Sequence, residues 1–69
     1  MTKTDARFRL SRRLSDRDFD AIARVRSVFG MLVVRVSEED NQLFVTYDAS
    51  RLTLPEVQNV LEQHGIPIQ

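Results

Sequence analysis

The chain of 69 residues is predicted to fold as an α+β sandwich, a four-stranded antiparallel sheet with two helices on one face, in the order βαββαβ. Three observations predict it. Two stretches carry apolar residues at helical spacing, each opened by a capping box and closed by a glycine. Alternating apolar and polar residues mark strands before and between them. A short apolar segment, Ile66-Pro67-Ile68, ends the chain as a candidate fourth strand.

The elements follow in order. Residues 1–5 are expected to fray, with one domain over residues 6–69. From Arg7 to Leu14 polar and apolar residues alternate, with Phe8 and Leu10 on one side and Arg7 and Arg9 on the other, as in a half-buried strand. Ser15 stands as an N-cap with Asp18 at the capping-box position, and Asp16 favours the positive helix end. Phe19, Ile22, Ala23, Val25 and Phe29 then predict a helix to about Phe29, ended by Gly30, which takes the left-handed cap without steric cost.

Leu32, Val34 and Val36 alternate with Val33 and Arg35 to give a strand rich in β-branched residues. Glu38, Glu39, Asp40 and Asn41 make a polar turn. Leu43, Val45 and Tyr47 alternate with Phe44 and Thr46 in the next strand, completing a hairpin. Thr53 and Glu56 form the second capping box, with Leu52 and Val57 as a hydrophobic staple. Val57, Val60, Leu61 and His64 trace one helical face, and Gly65 closes it. Pro67 confines the final strand to an edge.

Two amphipathic helices need one sheet face, so the economical solution is a ferredoxin-like split βαβ sandwich. Its core is expected to hold Phe8, Leu10, Ile22, Val25, Phe29, Leu32, Val34, Val36, Leu43, Val45, Tyr47, Val57, Val60 and Leu61.

Composition sets limits. Hydrophobic residues are 42% and charged residues 29%, ordinary for a globular domain. No cysteine is present, which excludes disulfides and thiolate metal sites. The single histidine, His64, excludes a multi-histidine zinc site within one chain; it reads as a partly buried residue at a helix C-terminus. No apolar run approaches the roughly 20 residues that span a bilayer, and no signal segment opens the chain, so a cytoplasmic location is expected. Net charge is zero but uneven: residues 1–30 hold eight Lys/Arg against four Asp, and residues 31–69 hold two Arg against six Asp/Glu. The halves either match each other within the fold or leave the first half as a basic binding face.

The spacing skeleton carries a resemblance. Gly30 ends the first helix, Tyr47-Asp48 closes the third strand and Gly65 ends the second helix, with separations of 18 and 17 residues. With the stretch Val25–Val36 followed by Leu43–Asp48, this resembles the heavy-metal-associated domain of copper chaperones and metal-pumping ATPases. The likeness runs without a gap from about residue 14 to 66. It implies the same fold, and it implies that the two metal thiols of that family fall at Leu14 and Arg17 and its preceding methionine at Arg12. The former metal loop is thus Arg12, Leu14, Ser15, Asp16 and Arg17, in a degenerate, cysteine-free member lacking the Cys-x-x-Cys pair. Cu(I) wants soft sulfur ligands; a leucine offers none, and an arginine brings a fixed positive charge.

Other ligand sets are poor. Asp16, Asp18 and Asp20 are two apart and do not share a helix face, and hard cations want six or more oxygens. No metal or cofactor is therefore expected. No catalytic arrangement can be assembled, so no enzyme activity is expected.

Two surfaces remain as candidates. The uncovered sheet face presents Arg7, Arg9, Val33, Arg35 and Phe44 with Thr46. Apolar and Arg side chains concentrate at protein interfaces, homodimers included. Plain solvated surface, and nucleic-acid binding by Arg7, Arg9, Arg35 and Phe44, are the alternatives. The second surface is a docking patch of Arg12, Arg13 and Arg17 for a protein partner with an acidic surface or a metal-transport component. The expected function is a non-catalytic interaction or regulatory module that has lost thiol-based metal binding. A nucleic-acid-binding module and a metal carrier with non-thiol ligands are the alternatives.

Overall fold

The structure, a computed structural model, describes residues 2–69; Met1, part of the expected frayed terminus, lies outside the described residues. Five elements follow in order: β1 (Lys3–Arg9), α1 (Asp16–Val25), β2 (Met31–Ser37), β3 (Gln42–Asp48) and α2 (Leu54–Gln63). The strands form one antiparallel sheet in the order β1-β3-β2. One side of the sheet (Leu43, Val45, Tyr47, Val34) shares a single buried cluster with Ile22 and Val25 of α1 and Val57 and Leu61 of α2. Both helices therefore cover the same face, and the other face is open.

The sheet has three strands, which corrects the four-stranded expectation. Residues 66–69 do lie against the outer edge of β1, but they make only one bridge, Leu10 to Ile68. Proline supplies no N–H to a ladder, and Ile68 N–H turns back to the Ile66 carbonyl at 2.9 Å. Ile66 itself is buried.

The first strand also shifts. It runs Lys3–Arg9 rather than from Arg7 to Leu14, so residues 3–5 are paired rather than frayed. Thr4 and Ala6 are weak strand signals in sequence. They stand opposite Tyr47 and Val45 of β3, and that pairing overrides local propensity.

Two expected core residues face solvent. α1 ends at Val25, and tight turns follow: Ser27 N–H to the Arg24 carbonyl and Val28 N–H to the Val25 carbonyl. Ser27 Oγ also donates to the Arg24 carbonyl at 2.6 Å. Phe29 is then carried outward, 72% exposed, with the Arg51 guanidinium 4.3 Å from its ring centre. Leu32 is 37% exposed because β2 has a bulge. Met31 pairs with Tyr47 and Val33 with Thr46, so Leu32 is the extra residue. Met31 fills the core in its place. Phe8, Val36 and Val60 are half-buried against the core rather than inside it.

Gly65, at φ +78°, follows the C-cap of α2 as expected. Gly30, at φ +96°, does not end α1, which stops at Val25 with Arg26 as its C-cap, and instead turns the chain into β2. The Thr53 capping box forms in full: Glu56 N–H donates to Thr53 Oγ1, and Glu56 Oε1 accepts from Thr53 N–H. No helix among the described residues is long and apolar enough to cross a membrane.

Candidate functional site

Residues 10–15 link β1 to α1 at one end of the sandwich. The hairpin turn between β2 and β3 meets them there: Leu10 N–H donates to the Asn41 carbonyl at 2.9 Å, and Asn41 Nδ2 donates back to the Leu10 carbonyl at 3.1 Å. Asn41 has φ +53°, a left-handed conformation that asparagine tolerates. Ser11 N–H and Oγ donate to the Pro67 carbonyl at 2.6 and 3.0 Å, so residues 66–69 fix the same loop.

Asp18 organises the loop. Arg12 Nη1 donates to its Oδ2 at 2.6 Å and Nη2 to its Oδ1 at 3.2 Å. Ser15 N–H and Oγ donate to the same Oδ2 at 2.7 and 3.0 Å. Arg12 Nη1 also reaches the Arg13 carbonyl at 3.0 Å. Donors crowd this carboxylate, the Arg12 guanidinium first and the Ser15 N–H second, and hold its pKa down at about 2 despite burial. Asp16 and Asp20 stay exposed, so the three acids of this stretch do not converge.

Leu14 is half-buried against the core and Arg13 and Arg17 are exposed. The ion pairs among the described residues are Arg12–Asp18 and Arg51–Asp48, so Arg13 and Arg17 have no ion-pair partner within 4 Å among them. Beside them lies a shallow concavity of about 300 Å³ lined by Leu10, Leu14, Val36, Arg13, Glu38, Glu39 and Asn41. Among the described residues no three acidic or histidine side chains converge as a cation would need. His64 is half-buried at the end of α2, with Nδ1 2.8 Å from the Val60 carbonyl. That carbonyl only accepts, so Nδ1 carries the proton.

On the open face the register sets the neighbours. Phe44 stands between Arg7 on β1 and Arg35 on β2, with guanidinium carbons 6.0 and 5.8 Å from its ring centre. In this cation–π row the aromatic is flanked on both sides. One row along, Thr46 lies between Asp5 and the exposed Val33, and its Oγ1 donates to Asp5 Oδ1 at 2.6 Å. Arg9 lies in the next row, opposite Gln42.

Sequence patterns did not reveal the Arg12–Asp18 contact, since residues six apart across a loop have no periodic signature. The capping box did mark Asp18 as a carboxylate aimed at Ser15.

No protein-family model matches the chain, and no curated protein matches it. Two solved structures share its fold. One is oxidized MerP from Ralstonia metallidurans CH34, at a TM-score of 0.78 and 17% identity, covering 99% of this chain and 96% of that one. The other is the CsoZ metallochaperone, at a TM-score of 0.76 and 14% identity, covering 99% of both chains.

Proposed function

We propose that the chain is a non-catalytic module of the metallochaperone shape whose loop end serves protein contact in place of soft-metal capture. The observation that carries this is the Arg12–Asp18 pair. Where the resemblance would have a methionine and two thiols, the loop holds a guanidinium clamped on a carboxylate, a half-buried Leu14 and an exposed Arg17. Such a loop offers no soft donor. Arg13 and Arg17 carry no ion pair among the described residues, and they favour a protein partner with acidic groups placed to meet them, beside the Glu38 and Glu39 that line the adjoining concavity. The fold shared with the CsoZ metallochaperone supports a partner among metal-handling proteins. Arg13 and Arg17 steer the encounter, and the Leu10–Leu14–Val36 concavity gives apolar contact once steering has acted.

Titration with Cu(I), Zn(II) and Mg(II) tests the first half of this proposal. Stoichiometric Cu(I) capture by the unmodified chain would overturn it, and tight Zn(II) or Mg(II) binding would favour a carrier with non-thiol ligands. Pull-down with Arg13→Glu/Arg17→Glu tests the second half. This variant spares Arg12, whose loss would disturb the loop itself. Partners that stay unchanged would exclude the patch.

The Arg7–Phe44–Arg35 row supports a second reading, an anion-binding sheet face. A salt-dependent shift with single-stranded RNA or DNA, lost in Phe44→Ala, would establish it over the first.

A further inference from the structure

The edges of the sheet are finished differently. On the outer edge of β2, Arg26 Nη2 and Nε donate to the Val34 carbonyl at 2.8 and 3.2 Å, and the bulge at Leu32 twists the strand. Both devices blunt an edge against further pairing. β1 has neither. Its hydrogen bonds fix which backbone groups face outward. Leu10 N–H donates to the Asn41 carbonyl and the Thr2 carbonyl accepts from Ala49 N–H, so even-numbered residues bond toward β3. The Arg9 carbonyl accepts from Gln69 N–H and Ser11 N–H donates to the Pro67 carbonyl, so odd-numbered residues bond the other way. From Lys3 to Arg7 the outer lane is empty among the described residues. The N–H and C=O groups of Asp5 and Arg7 have no backbone partner there, and both side chains are exposed.

We infer that this open edge is where two copies of the chain pair, β1 antiparallel to β1 about a two-fold axis at Ala6, with Asp5 of each copy opposite Arg7 of the other. The register follows from charge, from Gln69 and from how much of the open edge is used: an axis at Thr4 also opposes Lys3 to Asp5, but it leaves Arg7 beyond the described residues of the partner. Outward groups meet outward groups only when the axis passes through a residue. An axis at Asp5 sets Asp5 against Asp5 and Lys3 against Arg7, and like charges directly opposed destabilise a pair. An axis at Arg7 sets Arg7 against itself and needs Asp5 at the place opposite Arg9, where Gln69 sits. An axis at Ala6 sets Asp5 against Arg7 twice over, each a narrow pair exchanging two hydrogen bonds. Ala6 then faces Ala6, the smallest side chain available at the crossing. The ladder stops at Thr4 opposite Phe8, because the next pair would set Lys3 against Arg9, like charges at the place Gln69 already holds; the Arg7 axis fails first on Arg7 against itself.

Asp5 is prepared for this role. Thr46 Oγ1 holds its Oδ1 at 2.6 Å, which orients the carboxylate and leaves the second oxygen for a guanidinium. The pattern is complementary to itself about Ala6, as an isologous contact requires. That property points to a second copy rather than to an unrelated strand. Joining the two edges makes one continuous six-stranded sheet. The contact is short, so the association is weak and concentration-dependent.

Sedimentation equilibrium of the whole chain from about 10 μM to about 1 mM tests the inference. The apparent mass should rise from monomer toward dimer. Arg7→Asp alone and Asp5→Arg alone should each weaken association about tenfold or more, because two attractive contacts become repulsive. The exchange Asp5→Arg/Arg7→Asp should restore it. Arg7→Pro should abolish it while keeping the fold, because the N–H it removes faces outward and proline is accepted on an edge strand. Circular dichroism melts of every variant separate loss of pairing from loss of fold. A mass independent of concentration would sink the inference, as would pairing that survives Arg7→Pro in a folded protein or an exchange no better than the single changes. So would self-association abolished by Phe44→Glu or Phe29→Ser and untouched by the charge changes, which would put the contact on the open face or the Phe29 end.

Discussion

The guanidinium of Arg12 grips the carboxylate of Asp18 with two hydrogen bonds, at 2.6 and 3.2 Å, and the same carboxylate caps α1 through Ser15. One acid thus joins the loop after β1 to the first turn of the helix. The two partners are unequal: the Arg12 side chain is 53% exposed and that of Asp18 6%.

Asp18→Ala should therefore cost more than Arg12→Ala. Losing Asp18 strips the Ser15 N–H, the Ser15 hydroxyl and the guanidinium of an acceptor, for about 2–3 kcal/mol. Losing Arg12, an exposed side chain, leaves the carboxylate still bonded to Ser15 and should cost less. In urea unfolding the double variant should cost less than the two single costs added together. Equal single costs that simply add would show that the two side chains are not coupled.

Acid should unfold the domain through two carboxylates. Asp18 is held at about 2, first by Arg12 and then by the Ser15 N–H. Asp48 is held at about 2, first by the Ser50 hydroxyl and then by the Thr2 N–H. Both are depressed below their unfolded values near 4. Their stabilisation is complete above about pH 4 and drains away as pH falls toward 2, because the unfolded chain takes up the proton first. Unfolding free energy measured from pH 6 to pH 2 should fall across that window. Asp18→Asn and Asp48→Asn should each flatten the fall while starting from lower stability at pH 6. A flat wild-type profile above pH 2 would contradict the assignment.

What the sequence made legible was the periodic part of the fold. Both capping boxes, the Gly65 closure of α2, the hairpin and most of the core follow from spacing alone, whereas Gly30 does not end α1, which stops at Val25. Phe29 and Leu32 were misplaced because each depends on an irregularity that periodicity cannot carry. Tight turns after Val25 rotate Phe29 outward, and a bulge takes Leu32 out of register. Lys3–Asp5 were missed as strand because their order comes from Asp48, Tyr47 and Thr46 across the sheet. At the loop, the residue types were readable but their pairing was not, since Arg12 meets Asp18 only after the chain has turned.

The two closing glycines should respond differently to alanine. A Cβ on Gly30 would stand 2.9 Å from Leu52 Cδ1 and Cγ, in a backbone with φ +96°. A Cβ on Gly65 would meet nothing within 4 Å, at φ +78°. Gly65→Ala should cost about 1 kcal/mol, the left-handed penalty alone. Gly30→Ala should cost about 2–3 kcal/mol, since Leu52 must also shift and it packs on the core. Thermal melts of the two variants compare them directly. An equal shift in both would mean that Leu52 moves aside freely.

Placing sulfur at the loop separates shape from chemistry. Leu14→Cys/Arg17→Cys sets two thiols three residues apart at the positions that the resemblance assigns to metal. The first lies on the half-buried loop and the second on the exposed first turn of α1. Arg12 stays clamped on Asp18, so its charge is already matched and a cation between the thiolates is not opposed at full strength. The variant should lose about 1–2 kcal/mol from the missing leucine contact and gain stoichiometric Cu(I) binding, followed by competition with a chromophoric chelator. A cysteine pair that folds but takes up no Cu(I) would mean that the loop after β1 does not present positions 14 and 17 to a common ligand. The proposed exchange of metal capture for docking would then lose its structural basis.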